Sequence, residues 1–271
     1  MSACVLAGGE NQSRERDYDY SSATHFEDLR AAKDIGTQAA LRAQRRLGAV
    51  KIESARLPVV LEKRVARRFF SYFLGAINGM AAVKKTTFLA DCLGKSVFAP
   101  QVNVLEDPFV PRGLASRACD AEGIPCRKRL LIENGVLTTW LTDLNAARRL
   151  NVAPTGHAGR GFGSVPYAGA SNVFVSGGGE SFESLIGSVN RGLFVTDVIG
   201  NGVNAVTGDY SQGVSGCLIE NGRLTVPVRE MTIAGNLKDL FAQMILADDA
   251  TSGYAVNVPT VLLPRVSVAG K

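Results

Sequence analysis

Histidine is scarce in this chain: 271 residues contain two, His25 and His157, in unrelated contexts. A zinc site built from two imidazoles on one helix is therefore excluded. The scarcity also denies any serine or cysteine an assignable base nearby in sequence, and no Gly-x-Ser-x-Gly elbow occurs. His157 lies in a glycine-rich polar run and reads as a loop histidine. No apolar run reaches the length needed to span a membrane, so a membrane-spanning helix is not expected. The first twenty residues lack a basic segment followed by an apolar one, which points to a cytoplasmic protein. Five scattered cysteines lack the two-residue spacing of zinc knuckles and redox pairs, so reduced, buried thiols are expected. Neither Gly177-Gly178-Gly179 nor Gly200-Asn201-Gly202 is followed by Lys-Ser or Lys-Thr, which removes the phosphate-loop reading.

The composition is that of a globular chain, with 46% apolar and 20% charged residues. Its length supports one large or two smaller domains. The net charge of +5 is concentrated between Arg42 and Arg68, a segment that includes Arg45, Arg46, Arg64 and Arg67. Such a cluster can bind nucleic acid. Here it shares its segments with apolar stripes and has no interleaved aromatics, so a solvated helix face or a surface for an acidic partner ranks higher.

Glycine is abundant in one region. Residues 195–236 carry Gly200, Gly202, Gly208, Gly213, Gly216, Gly222 and Gly235 between apolar runs, so the backbone there turns tightly or approaches something closely. Within it, Thr207, Gly208, Asp209, Tyr210 and Ser211 form a polar cluster that reads either as a hydrogen-bonded turn or as a contact with peptide or partner.

Upstream, short strands around residues 4–7 and 18–22 precede a helix with Ala32, Ile35, Ala39, Ala43 and Leu47 on one face, closed by Gly48. A domain boundary follows, with a strand starting at Val59. A long helix is expected to carry Leu61, Val65, Phe69, Tyr72, Phe73, Ala76, Ile77 and Met80 on its buried face. Beyond Ser96 the texture is mostly β. Asn134-Gly135 and Asn221-Gly222 each mark a tight hairpin, because type I′ turns need positive φ at both central residues. Helices are expected near 141–150, 182–189 and 237–247. The fold class is α+β, with a predominantly antiparallel C-terminal domain.

Taken together, Arg16-Asp17-Tyr18-Asp19-Tyr20-Ser21-Ser22, Gly192-Leu193-Phe194-Val195-Thr196, residues 207–211, Ile219-Glu220-Asn221-Gly222 and Thr232-Ile233-Ala234-Gly235-Asn236-Leu237-Lys238-Asp239 resemble the TldD/PmbA family. The likeness covers almost the whole chain and is greatest to the PmbA (TldE) branch. It implies that residues 1–52 are the remainder of a central α/β domain and 53–271 the C-terminal domain, with the family's N-terminal domain absent. It also implies a cytoplasmic two-subunit metalloprotease that degrades unfolded peptides and matures peptide antibiotics, with zinc held by the TldD-like partner.

In that partner the metal sits on a His-Glu-x-x-x-His helix, and the matching positions here are Phe70, Ser71 and Gly75. None can ligate zinc, and residues 247–259 lack the later cysteine of the metal shell. The implied assignment is a noncatalytic subunit with no metal or catalytic residue of its own, partnered by a TldD-like chain and handling peptide, with homodimerisation open. The alternatives are a metallopeptidase in its own right, or a nucleic-acid or gyrase-associated regulator.

Overall fold

The computed structural model describes residues 1–9 and 14–271. Strands β1 (Ser2–Ala7) and β2 (Glu15–Tyr20) form an antiparallel hairpin. Helix α1 (Ala32–Gln44) packs on it through Ile35, Ala39 and Ala43. Strand β2 inverts the usual pattern. Its alternation buries the carboxylates Glu15, Asp17 and Asp19 and exposes Arg16 and Tyr18.

Strand β3 (Ala55–Leu61) then leads into α2 (Lys63–Ala76) and the short α3 (Gly79–Val83). The single long helix expected from the sequence is thus divided. Leu61 ends a strand, and Asn78 breaks the helix by accepting from the Met80 and Ala81 N–H groups at 2.9 and 3.3 Å. Apolar spacing carries across this break, which is why periodicity alone does not reveal it.

A five-stranded sheet follows, built from β4 (Asn103–Asp107), β5 (Arg129–Glu133), β6 (Val136–Leu137), β9 (Asn172–Ser176) and β14 (Val256–Asn257). Helix α4 (Leu144–Leu150) and the small hairpin of β7 (Ala158–Gly159) and β8 (Tyr167–Ala168) lie between its strands in sequence. After α5 (Phe182–Gly187) come the long strands β10 (Arg191–Ile199), β11 (Asp209–Glu220) and β12 (Arg223–Asn236). Helix α6 (Leu237–Gln243), β13 (Ile245–Leu246) and β15 (Val261–Ala269) complete the chain.

Strands β12, β11, β10, β3 and β15 form a ring, because β15 pairs with β3 along one edge and with β12 at Ser267 to Ala269 along the other. Closure gives each of these five strands a neighbour on both sides over part of its length. Alternation along β3 sends Leu57, Val59 and Leu61 into the main core and Val60 to the opposite face, beneath Leu185 and Ile186 of α5. The main core continues into α2, where Phe69 and Phe73 meet Phe241 edge-on and Phe70 stacks on Phe98. Among the described residues, the pairings between these strands are antiparallel except β3 with β10 and β9 with β14.

Both hairpins form as expected. Asn134-Gly135 and Asn221-Gly222 have φ of 49° and 80°, and 49° and 72°. The expectation of buried thiols is corrected: among the five cysteines only Cys126 is buried, while Cys4 and Cys119 are exposed. No helix among the described residues is long and apolar enough to cross a membrane.

Candidate functional site

Helix α2 forms one wall of a cleft of about 260 Å³, opposite the segment 201–205. Ser71, Tyr72, Gly75 and Ala76 come from the helix, Thr86, Thr87 and Phe88 from the turn after α3, and Asn201, Val203 and Ala205 from the far wall. The lining contains no charged side chain. The Tyr72 hydroxyl accepts from Arg68 Nε at 3.3 Å and lies 3.4 Å from both Asn201 Oδ1 and Gln212 Oε1. Thr87 anchors the turn by donating to the Ala76 carbonyl at 2.7 Å.

The three positions singled out on α2 do not converge. Phe70 is fully buried, its ring parallel to Phe98 with centroids 5.6 Å apart. Ser71 and Gly75 are exposed on the cleft side, and the Ser71 hydroxyl donates to the Arg68 carbonyl at 2.6 Å. A phenyl ring, a hydroxymethyl group already hydrogen-bonded and a glycine do not fit zinc, which takes thiolate, imidazole or carboxylate ligands. Among the described residues, no group of three His, Cys, Asp or Glu side chains could hold a metal ion.

Residues 207–211 do not line this cleft but adjoin its far wall through the Val203–Tyr210 bridge, and they are fastened internally. Thr207 Oγ1 donates to Asp209 Oδ2 at 2.6 Å, and Asn236 Nδ2 donates to the Thr207 carbonyl and to Asp209 Oδ1 at 3.0 and 3.2 Å. Gly208 has φ of +81° and a backbone tied to Asn204 and Leu237. Tyr210 is buried against Phe69 and Tyr72, and burial pushes its phenol well above the usual range. Thr207, Asp209 and Ser211 remain exposed. The neighbouring segment is held as tightly. Gln212 donates to the Ile199 and Gly200 carbonyls, and a Cβ at Gly202 would overlap the Ser211 carbonyl oxygen.

The sequence model of the PmbA/TldA metallopeptidase C-terminal domain matches residues 54–270. The chain belongs to the PmbA/TldD family. It is 38% identical to the metalloprotease PmbA of Escherichia coli O157:H7 over 100% of its own length and 58% of that protein's. A solved structure from Bacteroides thetaiotaomicron, described as a candidate modulator of DNA gyrase, superposes with a TM-score of 0.89 at 31% identity, covering 100% of this chain and 59% of that one. TldE of Thermococcus kodakarensis superposes with a TM-score of 0.82 at 26% identity, covering 99% and 63%. The chain thus spans a little under three fifths of the curated relative it matches.

Two features of this PmbA/TldD-family chain escape inspection of its sequence. The first is His157, which lies in a loop as expected but is buried there, 1% exposed. Its Nε2 lies 2.6 Å from Glu106 Oε2 and its Nδ1 2.7 Å from Thr155 Oγ1. Burial raises the Glu106 pKa, but the His157 contact and the Ser171 N–H more than offset this and hold the carboxyl below its ordinary value. The alternation of Val104 and Glu106 in β4 was the available signal, since it places a carboxylate on the buried face.

The second is the fate of the arginine cluster. Arg64 binds Asp17 at 2.7 Å, Arg46 reaches Asp197 at 2.9 Å, and Arg42 reaches Asp19 at 3.2 Å. Arg67 lies 3.7 Å over the Tyr254 ring. Burial pushes the Asp17 carboxyl up, but Arg64, the Tyr18 N–H and Arg46 bring it below its ordinary value. Much of the cluster therefore serves the fold rather than an open basic surface.

Proposed function

We propose that this chain is the noncatalytic, PmbA/TldE-type partner of a TldD-like zinc subunit in a cytoplasmic metalloprotease acting on unfolded peptides and on peptide-antibiotic precursors. The observation that carries this reading is the chemistry at Phe70, Ser71 and Gly75. One position is committed to the aromatic core, and the other two lack a ligating group. In this role the cleft beside α2 helps enclose peptide. Residues 207–211 present Thr207, Asp209 and Ser211 from a rigid turn to peptide or partner.

Residues 1–52 close a central domain and 53–271 form the C-terminal one. This division is supported by Ile35, Ala39 and Ala43, which are buried yet stand outside both large core clusters. A nucleic-acid role through Arg42 to Arg68 is disfavoured by the carboxylates already paired with Arg42, Arg46 and Arg64.

Zinc content and peptide cleavage, measured for the chain alone and after mixing with a TldD-like subunit, test the reading. Cleavage is expected only from the mixture, with zinc in the TldD-like chain. Stoichiometric zinc and cleavage by the lone chain would overturn it.

A further inference from the structure

Gly75 has no evident structural reason to be glycine. It lies in the last turn of α2 with an ordinary negative φ, so it is not a left-handed cap. A Cβ built on it meets nothing within 4 Å, so no neighbour requires a bare backbone. Alanine would favour the helix there. What a side chain at this position would occupy is the cleft itself.

The far wall supplies a second, independent feature. Val203 faces Tyr210 across an antiparallel bridge whose hydrogen bonds run from Asn204 N–H to the Asp209 carbonyl and from Ser211 N–H to the Gly202 carbonyl. In that pattern the N–H and C=O of the residue between point to the opposite edge. Among the described residues neither group of Val203 has a hydrogen-bond partner. Two residues on, in the turn that follows, the Ala205 carbonyl accepts from Phe88 N–H, and Val203, Ala205 and Phe88 all line the cleft. A free backbone N–H and C=O beside a cavity offer one rung of the β-pairing by which proteins take up extended peptides.

We propose that the Gly75 cleft is a subsite for one uncharged, apolar side chain of an extended peptide whose backbone pairs with Val203. This rests on the peptide-handling role proposed above and assigns that role a chemical preference. The volume of about 260 Å³ suits a single side chain, being below the roughly 300–1,000 Å³ of whole-ligand pockets. The lining favours an uncharged occupant, since it offers no ion partner to a charged one.

Fluorescence anisotropy with two labelled, Gly/Ser-rich peptides, one with a central Leu and the other with Lys in its place, tests the subsite. The chain is titrated with each probe, alone and in complex with a TldD-like subunit. The Leu probe is expected to bind at least about tenfold more tightly, the scale of burying one aliphatic side chain. Gly75→Leu should abolish that preference and Gly75→Ala should reduce it a few-fold, while the Gly75→Ala unfolding temperature rises by about 1–4 °C. N-methylation of the probe next to Leu should weaken binding as well.

Gly75→Ala adds only a methyl group to open space, so it decides the matter even if Gly75→Leu folds poorly. Peptide binding that is indifferent to both Leu/Lys identity and Gly75 would overturn the subsite while leaving the peptide-handling role intact. Absence of binding to either probe by the chain and by the complex would overturn both.

Discussion

Restoring a His-Glu-x-x-x-His pattern by Phe70→His, Ser71→Glu and Gly75→His tests whether the fold, and not merely residue identity, prevents a metal centre here. Ser71 and Gly75 are exposed, and the space around a Gly75 Cβ is open, so these two changes should each be tolerated. Phe70 is different. Its ring has no exposed surface and stacks on Phe98 at an interplanar angle of 5°. Truncating such a ring costs about 3–5 kcal/mol, and an imidazole recovers part of the volume while burying a polar group worth about 1–3 kcal/mol if unpaired. A net loss of about 3 kcal/mol lowers the unfolding temperature by about 6–12 °C in a chain of this size.

Zinc bound at a thousandfold excess over its Kd would return about 4 kcal/mol. The expected result is a destabilised triple variant whose melting curve is unmoved by zinc and whose dialysed zinc content is negligible. A variant that melts near the parent temperature and rises on adding zinc, with one equivalent retained after dialysis, would refute the argument. It would mean that the aromatic core releases residue 70 toward the cleft.

Asp17 and Glu106 both titrate below their ordinary values of 3.8 and 4.5 in the folded chain. Their stabilising contribution is therefore complete above those values and lost as pH falls through the lower folded-state ones. Unfolding free energy measured from pH 6 downward should drop below about pH 4, and Asp17→Asn should cost about 3 kcal/mol at pH 7 while flattening that drop; an unchanged acid profile would count against the ion-pair account. Gly202→Ala forces a methyl group into the Ser211 carbonyl and should destabilise by at least about 2 kcal/mol, read by denaturant titration; wild-type stability would show that segment 201–205 yields easily. Asp209→Ala removes acceptors for Thr207 and Asn236 and should cost about 1 kcal/mol by the same assay. If pairing with a TldD-like subunit and peptide binding both stay normal in that variant, residues 207–211 are a structural turn and not a contact.

Local rules were readable where the physics is local. The Asn-Gly turns needed only the conformational freedom of two residues, and both adopt the positive φ that their chemistry favours. The apolar face of α1 at Ile35, Ala39 and Ala43 followed from helical spacing. The break at Asn78 did not, because Ile77 and Met80 keep the apolar rhythm while a capping side chain ends the hydrogen-bond ladder. The burial of the loop residue His157 was hidden for a related reason. A glycine-rich neighbourhood describes the backbone around it, but Glu106 arrives from a strand 51 residues away.

By itself the sequence determined the family, the mixed α+β character and the identity of the atoms at positions 70, 71 and 75. Those properties depend on residue type and short-range spacing. Tertiary structure alone decided that β15 closes a ring between β3 and β12, and that β2 buries its carboxylates against arginines from α1 and α2. It also decided that Phe70 turns inward while Ser71 and Gly75 face a cleft shared with Val203. Each outcome is set by which distant segment satisfies a buried group or covers an apolar one, and no local pattern of residues encodes that partner.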